Sequence, residues 1–142
     1  MIRQGIPKDK VDLLRLIREF RDTKATMIKF DLDKVSEITN KCIELETVLV
    51  LEKEGKVVGA MVGMLFHSLM SYELIYQDLF FYIQKPHLGC TKSMLNELER
   101  RCKDMKIDRI SMATMGDNPR LDKLYELLGY SILEKHFSKE IQ

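Results

Sequence analysis

The sequence has few of the residues that build disulfide frameworks, metal sites or membrane anchors. Its three cysteines, Cys42, Cys90 and Cys102, are an odd number at spacings unlike those of metal ligands. Because we recognise no secretory signal at the N-terminus, these thiols indicate a reducing cytosol and hence a cytoplasmic protein. No spacing of His, Cys and Asp indicates a zinc site, and no serine motif indicates a hydrolase. We therefore expect no metal.

Long apolar runs and an excess of one charge are also missing. The longest apolar run, Val57 to Phe66, is about half of a membrane span and is interrupted by Gly59 and Gly63. The 23 basic and 22 acidic residues leave a net charge of +1. We therefore expect no membrane and no nucleic acid among the partners, which should be small or locally recognised.

What is present suffices for one domain. Hydrophobic residues make up 45% of the 142 residues, and no repeat or Pro/Ser-rich linker divides the chain. A chain of this length can bury one core without disulfides or metal. We therefore expect a single domain over residues 1–142.

Four stretches have apolar residues three to four positions apart, the spacing of a helix with one buried face. The first follows Pro7, the second begins near Asp31, the third begins near Thr91 and the fourth covers 119–128. The segment 21–30 has no period and indicates a loop. The buried residues expected in the first three helices are Val11, Leu14, Ile17 and Phe20; Val35, Ile38, Cys42 and Leu45; and Met94, Leu95, Leu98, Cys102 and Met105.

Shorter apolar stretches indicate strands at 1–4, 48–51, 57–69, 78–83, 109–114 and 132–140. The second to fourth of these are joined by turns, which predicts an antiparallel meander. A helix separates the fourth from the fifth, and a strand–helix–strand order predicts a parallel pair. We therefore expect an α/β (α+β) fold with a mixed, mostly antiparallel central sheet flanked by helices.

The stretch from Leu74 to Glu99 combines a buried strand, a turn with Pro86 and Gly89, and a helix that begins near Thr91. The first N–H groups of a helix have no helical partner, and the helix dipole adds about half a positive charge there. Such a turn can bind phosphate. A single glycine between a strand and a helix also suits a plain tight connection, so both interpretations stay open.

A second informative stretch runs from Asp117 to Tyr130. Asn118 is placed to cap a helix, Pro119 suits the first helical position and Gly129 suits a left-handed helix exit.

Together these two stretches resemble the GNAT family of acetyl-coenzyme A dependent N-acetyltransferases. In that family a later helix, opened by an Asn-containing turn, ends in the pattern L-Y-E-x-x-G-F/Y. Leu124, Tyr125, Glu126, Gly129 and Tyr130 match this pattern.

The pyrophosphate loop of the family, Q/R-x-x-G-x-G/A, is matched less well. Gly89 fits, whereas Pro86 replaces Gln or Arg and Thr91 replaces Gly or Ala. The pattern P-x-H-R-x-G-M-T, found in some phage-encoded and bacterial members, fits these three residues better if one residue is deleted.

The resemblance implies an N-acetyltransferase that moves an acetyl group from acetyl-CoA to a primary amine of a small molecule or protein. The parallel strands should splay apart to form the coenzyme A cleft, and segment 21–30 should wall the acceptor pocket. Homodimers through the last strands are expected. The alternative is a GNAT-like domain that has lost turnover and binds coenzyme A or a protein partner, as the altered loop indicates.

Two residues are candidates for catalysis. Asp78 is the candidate base, with Glu73 as a weaker rival, although Asp78 also suits an ordinary strand end. Tyr125 is the candidate general acid, with a phenol near its usual pKa of about 10, although Leu121 and Leu128 flank it as they would a core tyrosine.

The cofactor is expected to contact the strand and the loop through Phe81, Tyr82, Ile83, Leu88, Gly89, Cys90, Thr91, Lys92 and Asn118. The histidines His67, His87 and His136 are further candidates for proton transfer, but a lone histidine is more often structural or exposed.

Overall fold

The computed structural model describes all residues, 1–142, and contains one five-stranded sheet of order β1-β2-β3-β4-β5. The first four strands are antiparallel neighbours, and β4 and β5 are parallel. The predicted mixed sheet and its parallel pair are therefore confirmed. The strands are β1 (Ile2–Gln4), β2 (Val48–Lys53), β3 (Lys56–His67), β4 (Leu74–Ile83) and β5 (Arg109–Ser111).

Helices cover both faces of the sheet, which divides the core into two layers. They are α1 (Lys10–Lys24), α2 (Leu32–Glu44), α3 (Thr91–Asp104) and α4 (Pro119–Leu127). On the α1/α2 face the buried residues are Leu13, Leu16, Cys42, Ile43, Val48, Val50, Val57, Ala60, Val62 and Phe80. On the α3/α4 face they are Leu49, Leu51, Val58, Met61, Tyr76, Ile83, Met94, Leu95, Leu98, Cys102 and Tyr125. No helix of the structure has both the length and the apolar character needed to cross a membrane.

The predicted helix faces are correct only in part. In α1 the buried residues are Leu13 and Leu16, whereas Val11 is 77% exposed. The apolar residues of this helix cover so much of its circumference that spacing alone does not identify the buried face. Leu45 and Met105 are exposed because each lies just beyond the end of its helix.

Strand and helix ends also differ from the prediction. Strand β4 begins at Leu74 rather than at Asp78, because its pairing with β3 continues to the His67–Leu74 pair. Asp78 therefore lies within the strand and not at its end. Strand β5 ends at Ser111, three residues early, and α1 extends into the predicted loop as far as Lys24.

The strand predicted at 132–140 is wrong. Residues 131–142 form no regular structure, and the consecutive polar residues Glu134, Lys135 and His136 break the alternation that a half-buried strand requires. One ion pair, Glu140 to Lys29 at 3.7 Å, connects the segment to the α1–α2 connection. Its apolar side chains Ile132, Leu133, Phe137 and Ile141 are exposed.

A β-bulge in the middle of β4 changes which side chains face which helices. Val62 pairs with Phe80 and Gly63 pairs with Asp78, so Leu79 has no partner on β3. The extra residue reverses the alternation of side chains along the strand. Tyr76 therefore faces α3 and α4, and Phe80 faces α1.

Gly63, beside the bulge, allows the ring of Tyr76 to lie directly on the β3 backbone. A Cβ at this position would overlap the Tyr76 ring, and that ring is 2% exposed. The carbonyl of Thr47 accepts hydrogen bonds from the Gly63 N–H (3.1 Å) and from the Tyr76 hydroxyl (3.4 Å). The absence of a side chain at residue 63 is therefore required by close packing.

We predict that Gly63→Ala lowers the free energy of unfolding by about 1–3 kcal/mol, since the added methyl group must displace a fully packed ring. Urea unfolding followed by circular dichroism measures the change. Gly89→Ala is the matched control, because a Cβ there meets nothing within 4 Å, and it should not destabilise the protein. Equal stability of the two variants would contradict this packing.

Candidate active site

The candidate site lies where β4 and β5 separate. The parallel pairing covers only Ile75–Gln77 of β4 and Arg109–Ser111 of β5. Beyond these residues β4 continues to Ile83 without a neighbour on its β5 side. The backbone groups on that edge are therefore available to a ligand.

Ala113, two residues after β5, explains why the pairing stops. Its N–H donates to Oδ1 of Asp78 (3.0 Å), and its carbonyl accepts from the hydroxyl of Tyr125 (3.4 Å). Side chains thus bind both backbone groups that could have extended the parallel ladder. The two candidate catalytic residues, distant in sequence, meet at this one residue.

Burial raises the pKa of Asp78 from its ordinary value to about 6. Hydrogen bonds from the Ala113 N–H and from Nε2 of Gln77 (3.2 Å) act in the opposite direction by stabilising the charged form. Both bonds reach Oδ1, whereas Oδ2 accepts none. Asp78 therefore has one anchored oxygen and one that is free to accept a proton.

Tyr125 is buried, and both burial and the charge of Asp78 raise its pKa well above the ordinary value. The expectation of a phenol near its usual pKa is therefore wrong, because sequence spacing showed neither the dry environment nor the adjacent carboxylate. The hydroxyl stays protonated at every physiological pH. It can serve as a donor and not as a base.

Two further tyrosines surround Asp78, and the sequence did not single out either for the site. The ring of Tyr130 lies 5.3 Å from that of Tyr125, and burial raises its pKa to about 12. Tyr76 approaches from β4, two residues before Asp78. Tyr130 ended the L-Y-E-x-x-G-Y match, which was the signal available for it.

The predicted phosphate loop forms a 3-10 helix, Lys85–Cys90, that continues directly into α3. Both the N–H and the hydroxyl of Thr91 donate to the carbonyl of Leu88, the hydroxyl at 2.6 Å. Cys90 is half-buried. Leu88, Gly89 and Lys92 are exposed, so this side of the loop is open to a ligand.

The remaining candidate contacts lie on β4 and α4. Phe81 and Ile83 face the α3/α4 layer, whereas Tyr82 faces α1. Asn118 caps α4 as predicted, with its Oδ1 accepting from the N–H of Leu121 (3.2 Å).

Glu73 and the three histidines form no hydrogen bond with Asp78 or Tyr125. Glu73 precedes β4 and pairs with Arg109 at 3.3 Å. His67 is exposed at the end of β3, His87 is half-buried in the loop helix, and His136 contacts Glu134 at 3.0 Å.

Comparison with known proteins agrees with this architecture. The family model of the acetyltransferase (GNAT) family matches residues 13–130. No curated protein matches the chain in sequence. Solved structures with a similar fold include a ribosomal-protein-alanine N-acetyltransferase from Brucella melitensis biovar Abortus 2308, which is 13% identical with a TM-score of 0.74 and 99% coverage of both chains.

Two further structures have the same fold. A predicted acetyltransferase from Clostridium acetobutylicum, solved with acetyl-CoA, is 15% identical with a TM-score of 0.76, and the match covers 99% of this chain and 95% of that one. An aminoglycoside acetyltransferase from an uncultured soil metagenomic sample is 14% identical with a TM-score of 0.75, covering 100% and 98%. With its family model and its fold in agreement, the chain belongs to the GNAT family of acetyltransferases.

Proposed function

We propose that the protein transfers an acetyl group from acetyl-CoA to a primary amine, with Asp78 as base and Tyr125 as donor to the leaving sulfur. The observation that carries this proposal is the meeting of both side chains at Ala113, where β4 leaves β5. A bond forms between the amine nitrogen and the acetyl carbon, and the carbon–sulfur bond breaks. Asp78 takes the proton that the nitrogen loses, and the electron pair of the carbon–sulfur bond goes to sulfur. Coenzyme A leaves as a thiolate that accepts a hydrogen bond from the phenol of Tyr125.

Asp78 suits the base role because its environment raises the pKa of the carboxyl group without preventing ionisation at neutral pH. With a pKa of about 6, it is mostly ionised at neutral pH, yet it is more basic than an exposed aspartate. The anchored Oδ1 fixes the orientation of the group. The free Oδ2 can accept the proton directly or through one water.

Tyr125 suits the donor role because its phenol is always protonated. Its pKa lies above that of a thiol, so full proton transfer is unfavourable in the resting state. As negative charge develops on sulfur, a hydrogen bond from the phenol strengthens and stabilises that charge.

Acetyl-CoA fits the open edge of β4. Backbone groups near Phe81, Tyr82 and Ile83 have no strand partner on the β5 side and can hydrogen-bond the pantetheine arm. At the start of α3, the N–H groups near Gly89 and the side chain of Lys92 can contact the pyrophosphate. When bound, the cofactor supplies the activated thioester.

The second candidate function is a domain that binds coenzyme A or a protein without turnover. It is favoured by the loop helix, in which the Thr91 N–H donates within the protein and Pro86 has no N–H. Calorimetry with acetyl-CoA, followed by thiol release with an amine panel, distinguishes the two functions. Pairing of two copies through residues 132–141 and a cytoplasmic location stay predictions.

Asp78→Asn should abolish most turnover and also stabilise the protein at neutral pH. Because the folded-state pKa of Asp78 exceeds that of the unfolded chain, the fold favours the protonated form. The parent therefore loses stability as pH rises from about 4 to about 6. The neutral variant avoids this loss and should be more stable at pH 7 by about 1–2 kcal/mol. Thermal unfolding at several pH values measures the difference in stability between the two proteins. A variant less stable than the parent at pH 7 would contradict a buried charge at Asp78.

Tyr125→Phe should lower kcat by about 10²-fold or more with acetyl-CoA affinity preserved, because only the hydroxyl is lost. Tyr130→Phe is the matched control. It makes the same change in the neighbouring ring, and its effect should stay below about tenfold. Steady-state kinetics by thiol release measure both variants. Near-parent turnover of Tyr125→Phe would show that water neutralises the thiolate.

Gly89→Trp should weaken acetyl-CoA binding by about tenfold or more, because the indole occupies the open face where the pyrophosphate must approach. Gly89→Ala is the control, since its methyl group meets no other atom and should leave the affinity near that of the parent. Calorimetry measures both affinities. Unchanged binding by the tryptophan variant would remove the loop from the site.

A further inference from the structure

Glu19, on the sheet-facing side of α1, has a carboxylate that meets only neutral donors. Its Oε1 accepts from the hydroxyl of Tyr82 (2.9 Å), and its Oε2 accepts from Nε2 of Gln84 (3.0 Å). Each carboxylate oxygen can accept more than one hydrogen bond. The group is half-buried and forms no ion pair in the structure.

This makes Glu19 unlike the other carboxylates of the protein. Apart from Glu19 and the candidate base Asp78, every buried or half-buried carboxylate has an arginine partner. These pairs are Asp9 and Glu52 with Arg3, Asp12 with Arg15, Glu73 with Arg109, and Glu97 with Arg100 and Arg101. A partly desolvated anion without a cation is unfavourable unless a ligand supplies the charge.

Aromatic rings border the same carboxylate. The ring of Tyr82 lies 5.8 Å from that of Phe20, which contacts Phe80 edge-on at 5.4 Å. The faces of aromatic rings attract cations, including ligand ammonium groups. Thr23, one turn further along α1, is exposed, and its hydroxyl donates to the backbone carbonyl of Glu19 (2.8 Å).

The position of Glu19 relative to Asp78 suits an extended ligand. Tyr82, which binds Glu19, lies beyond the bulge from Asp78 on β4. Their partners on β3, Ala60 and Gly63, are three residues apart, which gives a separation of about 10 Å at about 3.3 Å per residue. Asp78 lies beside Tyr125 at Ala113, whereas Tyr82 packs on the α1 face. Because β5 separates from β4 beside Asp78, a chain-like acceptor on the α1 face can reach Asp78 while the cofactor occupies the edge near Ile83.

We propose that Glu19, with Tyr82 and Gln84, binds a second ammonium group of the acceptor, so that the preferred acceptors are linear di- or polycationic amines. The inference rests on the proposed transfer, because only a transferase has an acceptor. The subsite itself is inferred from the geometry of Glu19. The backbone of Tyr82 stays available to the cofactor, while its side chain serves the acceptor.

The test is a binding comparison without cofactor, using diaminooctane with an amine at each end and aminooctanol with a hydroxyl at one end. The two probes have the same length and differ by one charge. Calorimetry should show that the parent binds the diamine about tenfold more tightly or better. Glu19→Gln keeps an accepting oxygen but removes the charge, and this preference should disappear. Glu37→Gln, at an exposed site on α2, is the matched control and should retain it.

A parent without preference, or a preference that survives in Glu19→Gln, overturns the proposal. Chemical-shift mapping on the parent tests the proposal even if Glu19→Gln does not fold. The side-chain amide signals of Gln84 should shift with the diamine and not with the amino alcohol, and shifts confined to other residues overturn the subsite.

Acetyl-CoA is added last, so that the two proposals are tested separately. Diamine binding that depends on Glu19 without any acetylation would contradict the transferase and retain the subsite. Acetylation of diaminooctane and aminooctanol at equal rates, unchanged by Glu19→Gln, would contradict the subsite and retain the transferase.

Discussion

The structure of the site depends on how the peptide groups of Ala113 are satisfied. In an uninterrupted parallel ladder these groups would pair with β4. Here the carboxylate of Asp78 takes the N–H and the phenol of Tyr125 takes the carbonyl. Two side-chain hydrogen bonds therefore replace backbone pairing at the point where the strands must part, and no buried polar side-chain atom is left unpaired. The same two bonds position both candidate catalytic groups.

Because of the bulge at Leu79, side chains before and after it on β4 face opposite sides of the sheet. Before the bulge, Tyr76 and Asp78 face α3 and α4; after it, Phe80 and Tyr82 face α1. Strand β4 thus carries Asp78, a carboxylate without an ion pair, before the bulge, and beyond the bulge it binds a second such carboxylate, Glu19. The cofactor and the acceptor can then approach from opposite sides of the open β4 edge. The tight contact of Tyr76 with Gly63 holds β3 and β4 together beside this irregularity.

The loop before α3 has a geometry that its own residues explain. Pro86 and Thr91 favour a compact 3-10 helix, in which Thr91 donates twice to Leu88. This leaves fewer backbone donors for phosphate than an open loop would. The exposed Gly89 and Lys92 remain as the accessible part of the surface, which is why cofactor affinity is the sharpest measure of whether the family's activity is retained.

Much of the fold followed from local patterns. The capping of α4 by Asn118, its left-handed exit at Gly129 and the β4–α3–β5 crossover were all predicted, because caps, turns and crossovers depend on a few neighbouring residues. Burial on α1 was predicted only in part, since its apolar residues fit more than one stripe at helical spacing. The absence of a final strand was not predicted, because a strand forms only if another strand pairs with it.

The order of elements from β1 to α4 and the residue types able to carry acyl transfer could be predicted from local patterns in the sequence. The fold was needed to show that Asp78 and Tyr125 bind the same residue, that burial raises the pKa of both, and that Glu19 has no ion pair beside Tyr82. Proton affinity and charge balance depend on neighbours brought together from distant parts of the chain. No local pattern contains them, because solvent exclusion and Coulomb interactions act through space and not along the sequence.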